Sequence, residues 1–392
     1  MKKGVLISLF IIIFLVTAFL FRTKITRLFF SPSAPQGELG INVFNLAANR
    51  TPDTNQTPNA KPGADQAVTD IEIIAKNLLI PWEIGFLPTG EMLVTERAGN
   101  LLKIGANKTV IKIQGVEHVG EGGLQGMALH PDFKNNNFIY LYLTTRTKDG
   151  LINRVERYRL TGDTLTDKKI IIDNIPGAQY HDGGRIEFGP DSKLYVTTGD
   201  ATKSDKAQDP NFLGGKILRL NDDGSIPSDN PNPTSLIYSL GHRNPQGLAW
   251  DESGQLWATE HGRSGALSGL DELNIIEPNQ NYGWPTIQGD QTKPGLTTPV
   301  VHSGSDVTWA PGDAIYLNGS IFFTGLRGEA IYQYQIETKK FFTHFYRDFG
   351  RLRAIVIGPD GFIYVSTSNT DGRGESKTED DKIIAINPEI FN

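Results

Sequence analysis

A loop near the middle of the chain carries side chains suited to moving a proton. His181 and Asp182 lie in the sequence Tyr-His-Asp-Gly-Gly-Arg at 180–185, and histidine is the side chain best able to accept a proton near neutral pH. The two glycines that follow allow tight backbone packing near a ligand. A turn histidine is also often bonded only to backbone groups, so this motif alone leaves a catalytic and a structural interpretation open.

A second loop, Gly-His-Arg-Asn-Pro-Gln-Gly at 241–247, presents three hydrogen-bond donors: Arg243, Asn244 and Gln246. The same loop could equally cap neighbouring carbonyl groups. Further arginines follow along the chain, at Arg327, Arg351 and Arg353. The last two are two residues apart and so project to the same side of an extended segment. Arginine binds carboxylates through paired N–H groups, so this basic set is suited to a polyanion; solvated surface arginines are the alternative.

A third group of residues is suited to a hard cation. Gly262 and Arg263 lie in a Glu-His-Gly-Arg sequence, and acidic residues recur at 271–272. Carboxylates and backbone carbonyls are the ligands that Ca²⁺ accepts, although acidic loop residues are more often simply solvated. The Gly-rich loop at 120–126 lacks the Gly-Lys-Ser/Thr ending of a phosphate-binding loop, so a nucleotide site is excluded there.

These loops lie between copies of one repeated phrase. A turn rich in Gly, Asp or Asn is followed by a short β-branched and aromatic run, which is typical of a hairpin feeding a half-buried strand. Six copies occur, at 87–95, 130–140, 189–197, 251–259, 316–324 and 358–366. Each unit has roughly 54 residues, near the size of a four-stranded propeller blade. The pattern predicts an all-β fold, a six-bladed β-propeller over residues 69–392, and fits paired β-sandwiches or a β-helix less well.

The first 68 residues differ from the rest. Lys2 and Lys3 precede an apolar run at 4–21, which as a helix reaches roughly 27 Å, close to the thickness of a bilayer core. No good cleavage site follows, so the pattern favours an uncleaved signal anchor or transmembrane helix at 1–30 over a cleaved signal peptide. Residues 31–68 are rich in Pro, Asn and Thr and are predicted to be a flexible, disordered linker. We expect a cell-envelope protein, held outside the cytoplasmic membrane by its helix, or secreted if the helix is cleaved.

Composition narrows the classes of function. The net charge of −6 argues against a nucleic-acid binder, which would present a basic face. The chain contains no cysteine, which excludes disulfides, thiolate zinc sites and a cysteine nucleophile. Any chemistry must therefore use oxygen and nitrogen groups or a bound cofactor.

Six stretches in one order resemble a known family: Pro81-Trp82, 120–133, 181–185, 241–247, 271–274 and 281–285. The whole of residues 69–392 resembles the soluble quinoprotein glucose/sorbosone dehydrogenase family, which includes the aldose sugar dehydrogenases. The resemblance implies a six-bladed propeller that uses pyrroloquinoline quinone (PQQ) and Ca²⁺. Several long motifs in a fixed order are far more specific than any one of them.

The resemblance implies a role for each matching position. His181 matches the general base, which takes the hydroxyl proton at the anomeric carbon of the sugar as hydride passes to the quinone. Asp182 matches a substrate-loop residue that could orient the imidazole, and Glu121 a position near the sugar. Arg243 is implied in catalysis, since its charge would stabilise the reduced cofactor. The implied cofactor contacts are Arg243, Asn244, Gln246, Thr308, Arg327, Arg351 and Arg353, and the implied Ca²⁺ ligands are the carbonyls of Gly262 and Arg263.

Three positions depart from the family pattern. Arg327 stands where the best-known glucose dehydrogenases carry lysine, Glu121 where several members carry glutamine, and Arg263 where they carry proline. The chain also lacks room for the long inserted loops of the dimeric glucose enzymes. It looks closer to the smaller aldose dehydrogenases of broad specificity, and we expect a monomer.

The leading prediction is therefore a PQQ-dependent sugar dehydrogenase. It would oxidise a small aldose to its lactone and pass the electrons to an external acceptor, a quinone or a cytochrome. A Ca²⁺-dependent lactonase-type hydrolase is the rival enzyme, but it would leave the arginines of the channel without a purpose. The third possibility is a non-enzymatic propeller that binds carbohydrate or protein, which has no need of His181 or Arg243.

Overall fold

The computed structural model describes Thr17, residues 36–43, Leu46, and residues 70–264 and 268–391. The described residues form six sheets, and the predicted all-β, six-bladed propeller is confirmed. The repeated phrase is the same part of every blade, a turn that leads into the second strand. Because the blades stack face to face, this strand is covered on both sides, which explains its β-branched and aromatic composition.

Two strands precede the first blade, β1 (Glu38–Leu39) and β2 (Ile71–Ala75). Blade 1 contains β3 (Pro81–Phe86), β4 (Met92–Glu96), β5 (Asn100–Ile104) and β6 (Lys108–Lys112). Blade 2 contains β7 (Leu124–Leu129), β8 (Phe138–Thr147), β9 (Gly150–Thr161) and β10 (Thr164–Pro176). Blade 3 contains β11 (Ile186–Phe188), β12 (Leu194–Thr198), β13 (Lys216–Leu220) and β14 (Ile237–Leu240).

Blade 4 contains β15 (Pro245–Trp250), β16 (Leu256–Glu260), β17 (Glu272–Ile276) and β18 (Val301–His302). Blade 5 contains β19 (Pro311–Leu317), β20 (Ser320–Gly325), β21 (Ala330–Gln335) and β22 (Phe341–His344). Blade 6 contains β23 (Leu352–Ile357), β24 (Ile363–Thr367) and β25 (Ile383–Ile386). A short helix α1 (Phe133–Asn136) and the 3-10 turns Ser204–Gln208 and Pro388–Phe391 complete the described elements.

The ring is closed by a strand from the other end of the propeller sequence. β2 forms the outer strand of blade 6, where Ile71 pairs with Ile386 in antiparallel register. The first strand of each blade lies on the inside, and these inner strands contact one another around a central channel. Buried apolar side chains fill the space between blades, as Tyr140 of blade 2 and Val196 of blade 3 do. Their burial, about 1.5–3 kcal/mol for each large side chain, holds the blades in a ring.

Residues 36–43 differ from the predicted linker. β1 pairs in parallel with β22 on the outer edge of blade 5. The backbone N–H of Ile41 donates to Nδ1 of the buried His344 at 3.1 Å, and the Ile41 side chain packs against an apolar cluster of blades 5 and 6. The prediction of a flexible linker is therefore wrong for this segment, which is docked as a fifth strand.

The other predictions for the N-terminal region concern residues that are almost all outside the described part of the chain. The predicted helix at 1–30 lies outside the described residues except for Thr17, and so do residues 31–35, 44–45 and 47–68 of the predicted linker. Among the residues that are described, no helix has the length and apolar character needed to cross a membrane.

Buried charges occupy the middle of the channel. The guanidinium of Arg185, which is 2% exposed, donates to Glu83 and contacts Asp313 at 3.1 Å. It also lies 4.4 Å from the centre of the Trp82 ring. Beyond this cluster, at one end of the channel, the inner strands enclose a cavity of about 750 Å³. Glu187 lines that cavity, and its burial, together with the charge of Asp313, raises its pKa to about 8.

Glu187 is expected to make the fold less stable as the pH rises. Its carboxyl keeps a proton to about pH 8 when folded, against about pH 4.5 ordinarily, so the folded state binds more protons over this interval and the free energy of unfolding falls with pH. Glu187→Gln should remove this dependence. In calorimetry, the melting temperature of the wild type should fall by roughly 3 °C more than that of the variant between about pH 6 and pH 8. Equal slopes for the two proteins would contradict the prediction.

Candidate active site

The loops at the other end of the channel surround a cavity of about 410 Å³. Most of the predicted site residues line it: Glu121, His181, Arg243, Gln246, Gly262, Arg263, Thr308, Arg327, Arg351 and Arg353. They come from loops and inner strands of different blades, which meet only in the folded ring. Asp182 and Asn244 are buried behind the cavity wall.

His181 has one ring nitrogen bonded in the wall and the other on the cavity side. Its Nδ1 lies 2.7 Å from Oδ1 of Asp200, and Trp284 donates to the second carboxylate oxygen at 2.9 Å. Burial alone would raise the pKa of Asp200, but the bonds from His181 and Trp284 bring it below its usual value. An ionised carboxylate places the imidazole proton on Nδ1. The lone pair of Nε2 is then the basic site on the cavity side, and it accepts a hydrogen bond from Arg243 at 2.9 Å.

The backbone around His181 fixes the position of the ring. His181 itself has a φ of 62°, a left-handed conformation that costs a residue with a side chain about 1–3 kcal/mol. At Gly183 the φ is 67°, and a Cβ there would lie 2.5 Å from the carbonyl oxygen of Thr197. The glycines of the motif therefore let the loop pack against β12 of blade 3, and this packing holds His181 in its strained conformation.

Asp182 does not have the predicted role of orienting the imidazole. Its side chain is 1% exposed and accepts hydrogen bonds at 3.0 Å from Asn153 and from the backbone N–H of Ala178. Burial raises the pKa of this carboxyl to about 6. The prediction that Asp182 orients the imidazole is wrong, because its carboxyl ties the loop to blade 2 while Asp200 contacts Nδ1 of His181; its catalytic and substrate-binding roles stay predictions.

Arg243 and Asn244 adjoin His181 from the loop before blade 4. The Arg243 guanidinium donates to Ser264 Oγ at 2.5 Å and lies 5.3 Å from the centre of the Trp284 ring, and burial lowers its pKa. Asn244 Oδ1 accepts the N–H of Gly183 at 2.9 Å. Among the described residues, neither Arg243 Nε nor Asn244 Nδ2 has a hydrogen-bond partner, although both atoms are buried.

Arg353 is a buried cation at the floor of the cavity. Its guanidinium donates to Gln246 and lies 5.5 Å from the centre of the Trp82 ring. Within the described part of the chain it forms no ion pair, and its Nε has no partner. Burial lowers its pKa to about 9, and the nearby charge of Arg97 adds to this effect. An anion placed in the cavity would pair with the Arg353 guanidinium and stabilise its charged form.

Arg351 and Arg327 complete the basic lining. Arg351 donates to Asp371 at 2.8 Å and to the carbonyl of Leu326 at 3.1 Å. Arg327 donates to Ser268 Oγ at 3.0 Å, and burial lowers its pKa to about 10. Both arginines are therefore preorganised along one side of the cavity by blades 5 and 6.

Asp271 fixes the loop that carries Gly262 and Arg263. One carboxylate oxygen accepts the N–H of Gly262 at 2.7 Å, and the other accepts Thr308 Oγ1 at 2.7 Å and two further backbone N–H groups. A Cβ at Gly262 would lie 2.2 Å from a carbonyl oxygen of Leu270. Asp271 is a candidate cation ligand by its residue type, but both oxygens of its carboxylate accept hydrogen bonds from backbone N–H groups or Thr308. In the described part of the chain, no three acidic, histidine or cysteine side chains are grouped to hold a metal ion.

Sequence reasoning missed two residues of the site. Asp200 comes two residues after β12, at the cavity end of that strand. Arg373 lies between Gly372 and Gly374 in the loop after β24 and also lines the cavity. Polar residues that follow the second strand of a blade were the signal that could have found them, because every such strand ends at the same end of the channel.

The residues of the cavity fit a cofactor that carries several carboxylates. Buried polar atoms without partners are uncommon, and several are found here among the described residues, including Arg243 Nε, Asn244 Nδ2 and Arg353 Nε. They accompany a lining in which arginines outnumber carboxylates. A bound polyanion would pair with these donors and offset the cost of burying so many cations.

The fold and this site together define an enzyme of the sugar dehydrogenase class. Residues 78–376 match the family described as glucose/sorbosone dehydrogenase, and the chain belongs to that family. The resemblance indicated by the sequence motifs is thus confirmed, as is the prediction that the protein is a PQQ-dependent sugar dehydrogenase.

Several relatives are similar over most of the propeller. Aldose sugar dehydrogenase YliI of Escherichia coli K12 is 31% identical over 79% of this chain and 92% of its own length. Quinoprotein glucose dehydrogenase B of Acinetobacter calcoaceticus is 35% identical, over an alignment that covers 60% of this chain and 56% of that relative. The PQQ-bound structure of aldose sugar dehydrogenase from Streptomyces coelicolor is 36% identical, with a TM-score of 0.73 over 80% of this chain and 97% of that one.

Proposed function

We propose that the protein oxidises an aldose at its anomeric carbon to the lactone, with PQQ as oxidant and His181 as general base. The observation that carries this proposal is the geometry of His181, whose Nδ1 lies 2.7 Å from Asp200 while Nε2 lies beside Arg243 on the cavity side. An imidazole held in this tautomer by a carboxylate is suited to take a hydroxyl proton. The basic lining of the same cavity suits the anionic cofactor that such an oxidation needs.

The protein and the cofactor divide the chemistry between them. When bound, PQQ supplies the acceptor for the hydride equivalent, two electrons with the hydrogen of the anomeric carbon. His181 Nε2 takes the hydroxyl proton as the carbon–oxygen bond becomes a carbonyl, and the carboxylate of Asp200 stabilises the imidazolium that results. Arg243 donates into the same part of the cavity, where its positive charge favours the development of negative charge.

The cofactor would be held by the basic residues and by backbone. Arg327, Arg351 and Arg353 would pair with its carboxylates, since a guanidinium binds a carboxylate through two N–H groups. Further contacts would come from the unpartnered atoms of Arg243 and Asn244, and from Gln246 and Thr308 on the cavity wall. A Ca²⁺ ion bound with the cofactor would take the backbone carbonyls of Gly262 and Arg263, because Ca²⁺ prefers oxygen ligands.

The proposal extends to where the enzyme works. The apolar run at 4–21, with basic residues on both sides, supports an anchor in the cytoplasmic membrane and a propeller outside the cytoplasm, or a secreted propeller if the anchor is cleaved. The electrons would pass to an external acceptor, a membrane quinone or a cytochrome. The enzyme would act as a monomer.

Calorimetric titration of PQQ into the apo protein tests the proposal. With Ca²⁺ present we expect near-stoichiometric binding with a Kd below about 1 μM. With a chelator the Kd should rise at least about tenfold, because the carbonyl-bound ion would be lost. The loaded enzyme should then reduce an artificial electron acceptor when glucose is added. Absence of PQQ binding under both conditions would contradict the proposal.

A further inference from the structure

An ion pair joins two loops of the cavity wall that come from different blades. The loop between β24 and β25 of blade 6 carries Arg373, whose Nη1 lies 2.8 Å from Oε1 of Glu121 in the loop before blade 2. The Arg373 guanidinium also lies 5.7 Å from the centre of the Tyr180 ring, next to His181. Arg373 therefore connects blade 6 with the loops that precede blades 2 and 3, past the edge of blade 1.

The position of Arg373 is set by residues of the cavity. Its backbone N–H donates to Asp371 at 2.9 Å, and Asp371 accepts a hydrogen bond from Arg351. At the neighbouring Gly374 a Cβ would lie 2.8 Å from Cδ of Arg351. The loop thus packs directly on the basic lining, and Arg373 is held in place rather than trailing in solvent.

Glu121 connects the ion pair to the proposed base. Its Oε2 accepts the backbone N–H of His181 at 3.0 Å, while Oε1 accepts from Arg373. Burial alone would raise the pKa of Glu121, but the charges of Arg373 and His261 and the His181 bond bring it well below its usual value. A carboxylate held in its ionised form therefore stands beside the proposed base.

The two members of the pair are buried to different degrees. The Glu121 side chain is 16% exposed and that of Arg373 is 49% exposed. A sugar whose hydroxyl reaches His181 consequently meets the carboxylate inside, with the guanidinium nearer the entrance. A carboxylate accepts hydrogen bonds from hydroxyl groups, whereas it repels a second carboxylate in a site shielded from water.

We propose that Glu121 and Arg373 form a sugar-selecting pair that admits neutral aldoses and rejects aldoses bearing a carboxylate. This inference rests on the proposed function and adds the substrate class to it. Glu121 accepts from the hydroxyl groups of the ring and opposes anionic sugars, while Arg373 holds the carboxylate in position, partly offsets its charge and donates to ring oxygens. Because the carboxylates of the cofactor would pair with the deeper arginines, no unpaired cation near the base is left to bind an anionic sugar.

The test compares glucose with glucuronate on the PQQ-loaded enzyme, with an artificial electron acceptor. The quantity of interest is the ratio of the two kcat/KM values, which cancels general losses of activity. Glu121→Gln should lower the preference for glucose at least about tenfold, because the repelling charge is removed. Arg373→Ala should have the opposite effect and raise the preference about threefold or more, because Glu121 is then unpaired. It should also raise KM for glucose more than it lowers kcat.

Control measurements separate this inference from its alternatives. Arg146→Ala removes an exposed ion pair with Glu117 away from the cavity lining and should leave the preference unchanged. PQQ affinity should stay within about threefold of the wild type in both cavity variants; a large loss would assign Arg373 to the cofactor and overturn its selecting role. If Arg373→Ala does not fold, Arg373→Lys replaces it in the test. For Arg373→Lys, a preference for glucose between those of the wild type and Glu121→Gln would contradict the proposal.

Two outcomes overturn different statements. Equal preferences for glucose over glucuronate in the wild type, Glu121→Gln and the Arg373 variants would overturn the selecting pair while leaving the oxidation intact. If the PQQ-loaded wild type oxidises no aldose, neutral or anionic, the proposed function itself fails. Opposite shifts of the preference in Glu121→Gln and Arg373→Ala are the signature that a merely structural ion pair would not produce.

Discussion

His181→Ala is expected to lower kcat about 1,000-fold while PQQ remains bound. The variant removes the only group that we assign to proton abstraction, but it leaves the arginines of the cavity in place. His181 is partly buried and its ring contacts Asp200 and Arg243, so the change leaves a small polar space rather than a hole in the apolar core. Stopped-flow measurement of substrate-dependent cofactor reduction, with calorimetry for PQQ affinity, checks both halves of the prediction.

A pair of aspartate variants sharpens this test. Asp200→Asn should lower kcat at least about tenfold, because an amide no longer fixes the Nδ1–H tautomer or stabilises the imidazolium. Asp182→Asn is the matched control: its carboxyl bonds to Asn153 and Ala178 instead of the imidazole, so kcat should change less than about threefold. If His181→Ala keeps most of its turnover, or if Asp182→Asn is the more damaging aspartate change, the assignment of the base and its partner is wrong.

Loss of Arg351 and Arg353 together should weaken PQQ binding by a factor of about 100 to 10,000. A hydrogen bond to a charged partner contributes about 1.5–3 kcal/mol, and each of these arginines would form at least one with a cofactor carboxylate. Arg353 has no ion pair within the described residues, and its charge is buried, so an anion in the cavity would supply the partner that this charge lacks. Calorimetric titration of PQQ into Arg351→Ala/Arg353→Ala measures the loss.

Arg353→Ala alone separates a loss of cofactor contacts from a loss of stability. Removal of Arg351 leaves Asp371 without its close partner, which is destabilising, whereas Arg353→Ala leaves no carboxylate uncompensated. Arg353→Ala alone should therefore fold normally and still lose affinity by at least about tenfold. Arg146→Ala on blade 2, which removes an exposed ion pair with Glu117, is the control for a lost surface charge. PQQ affinity equal to that of the wild type in the double variant would remove both arginines from the cofactor site.

The fold was predictable because each blade repeats the same physical requirement. Every second strand is covered on both faces, so it needs β-branched and aromatic residues, and every preceding turn needs Gly, Asp or Asn. The turn and strand of blade 3, for example, contain Gly189, Ser192 and Val196, with φ values of 60° at Ser192 and a fully buried Val196. These constraints are local in sequence and therefore visible in it.

Most of the site was predictable from its residue types, but not the contacts within it. The resemblance to the family implies Asp182, the next residue in the sequence, as the partner of His181. The left-handed conformation of His181 and the close packing of Gly183 direct the two side chains apart. Asp200 reaches the imidazole only because the hairpin of β11 and β12 returns the chain to the same loop. Arg373 meets Glu121 across 252 residues of sequence, a contact that only closure of the ring produces.

The docked segment at 36–43 was missed for a related reason. Its composition is that of a linker, and its partner, β22, lies about 300 residues further along the chain, as the bond between Ile41 and His344 illustrates. A strand of two residues has no periodicity to detect. What holds it is the unpaired edge of blade 5, which is a property of the assembled propeller.

The parallel pairing of β1 with β22 also sets how the propeller takes a mechanical load. β22 runs toward Arg351 and hence toward the cavity end of the channel. Because β1 runs the same way, its first residue, Glu38, lies at the end of the strand pair that faces away from the cavity. A pull on Glu38 from that end acts along the strand pair, so its hydrogen bonds are loaded together in shear instead of being peeled apart one by one.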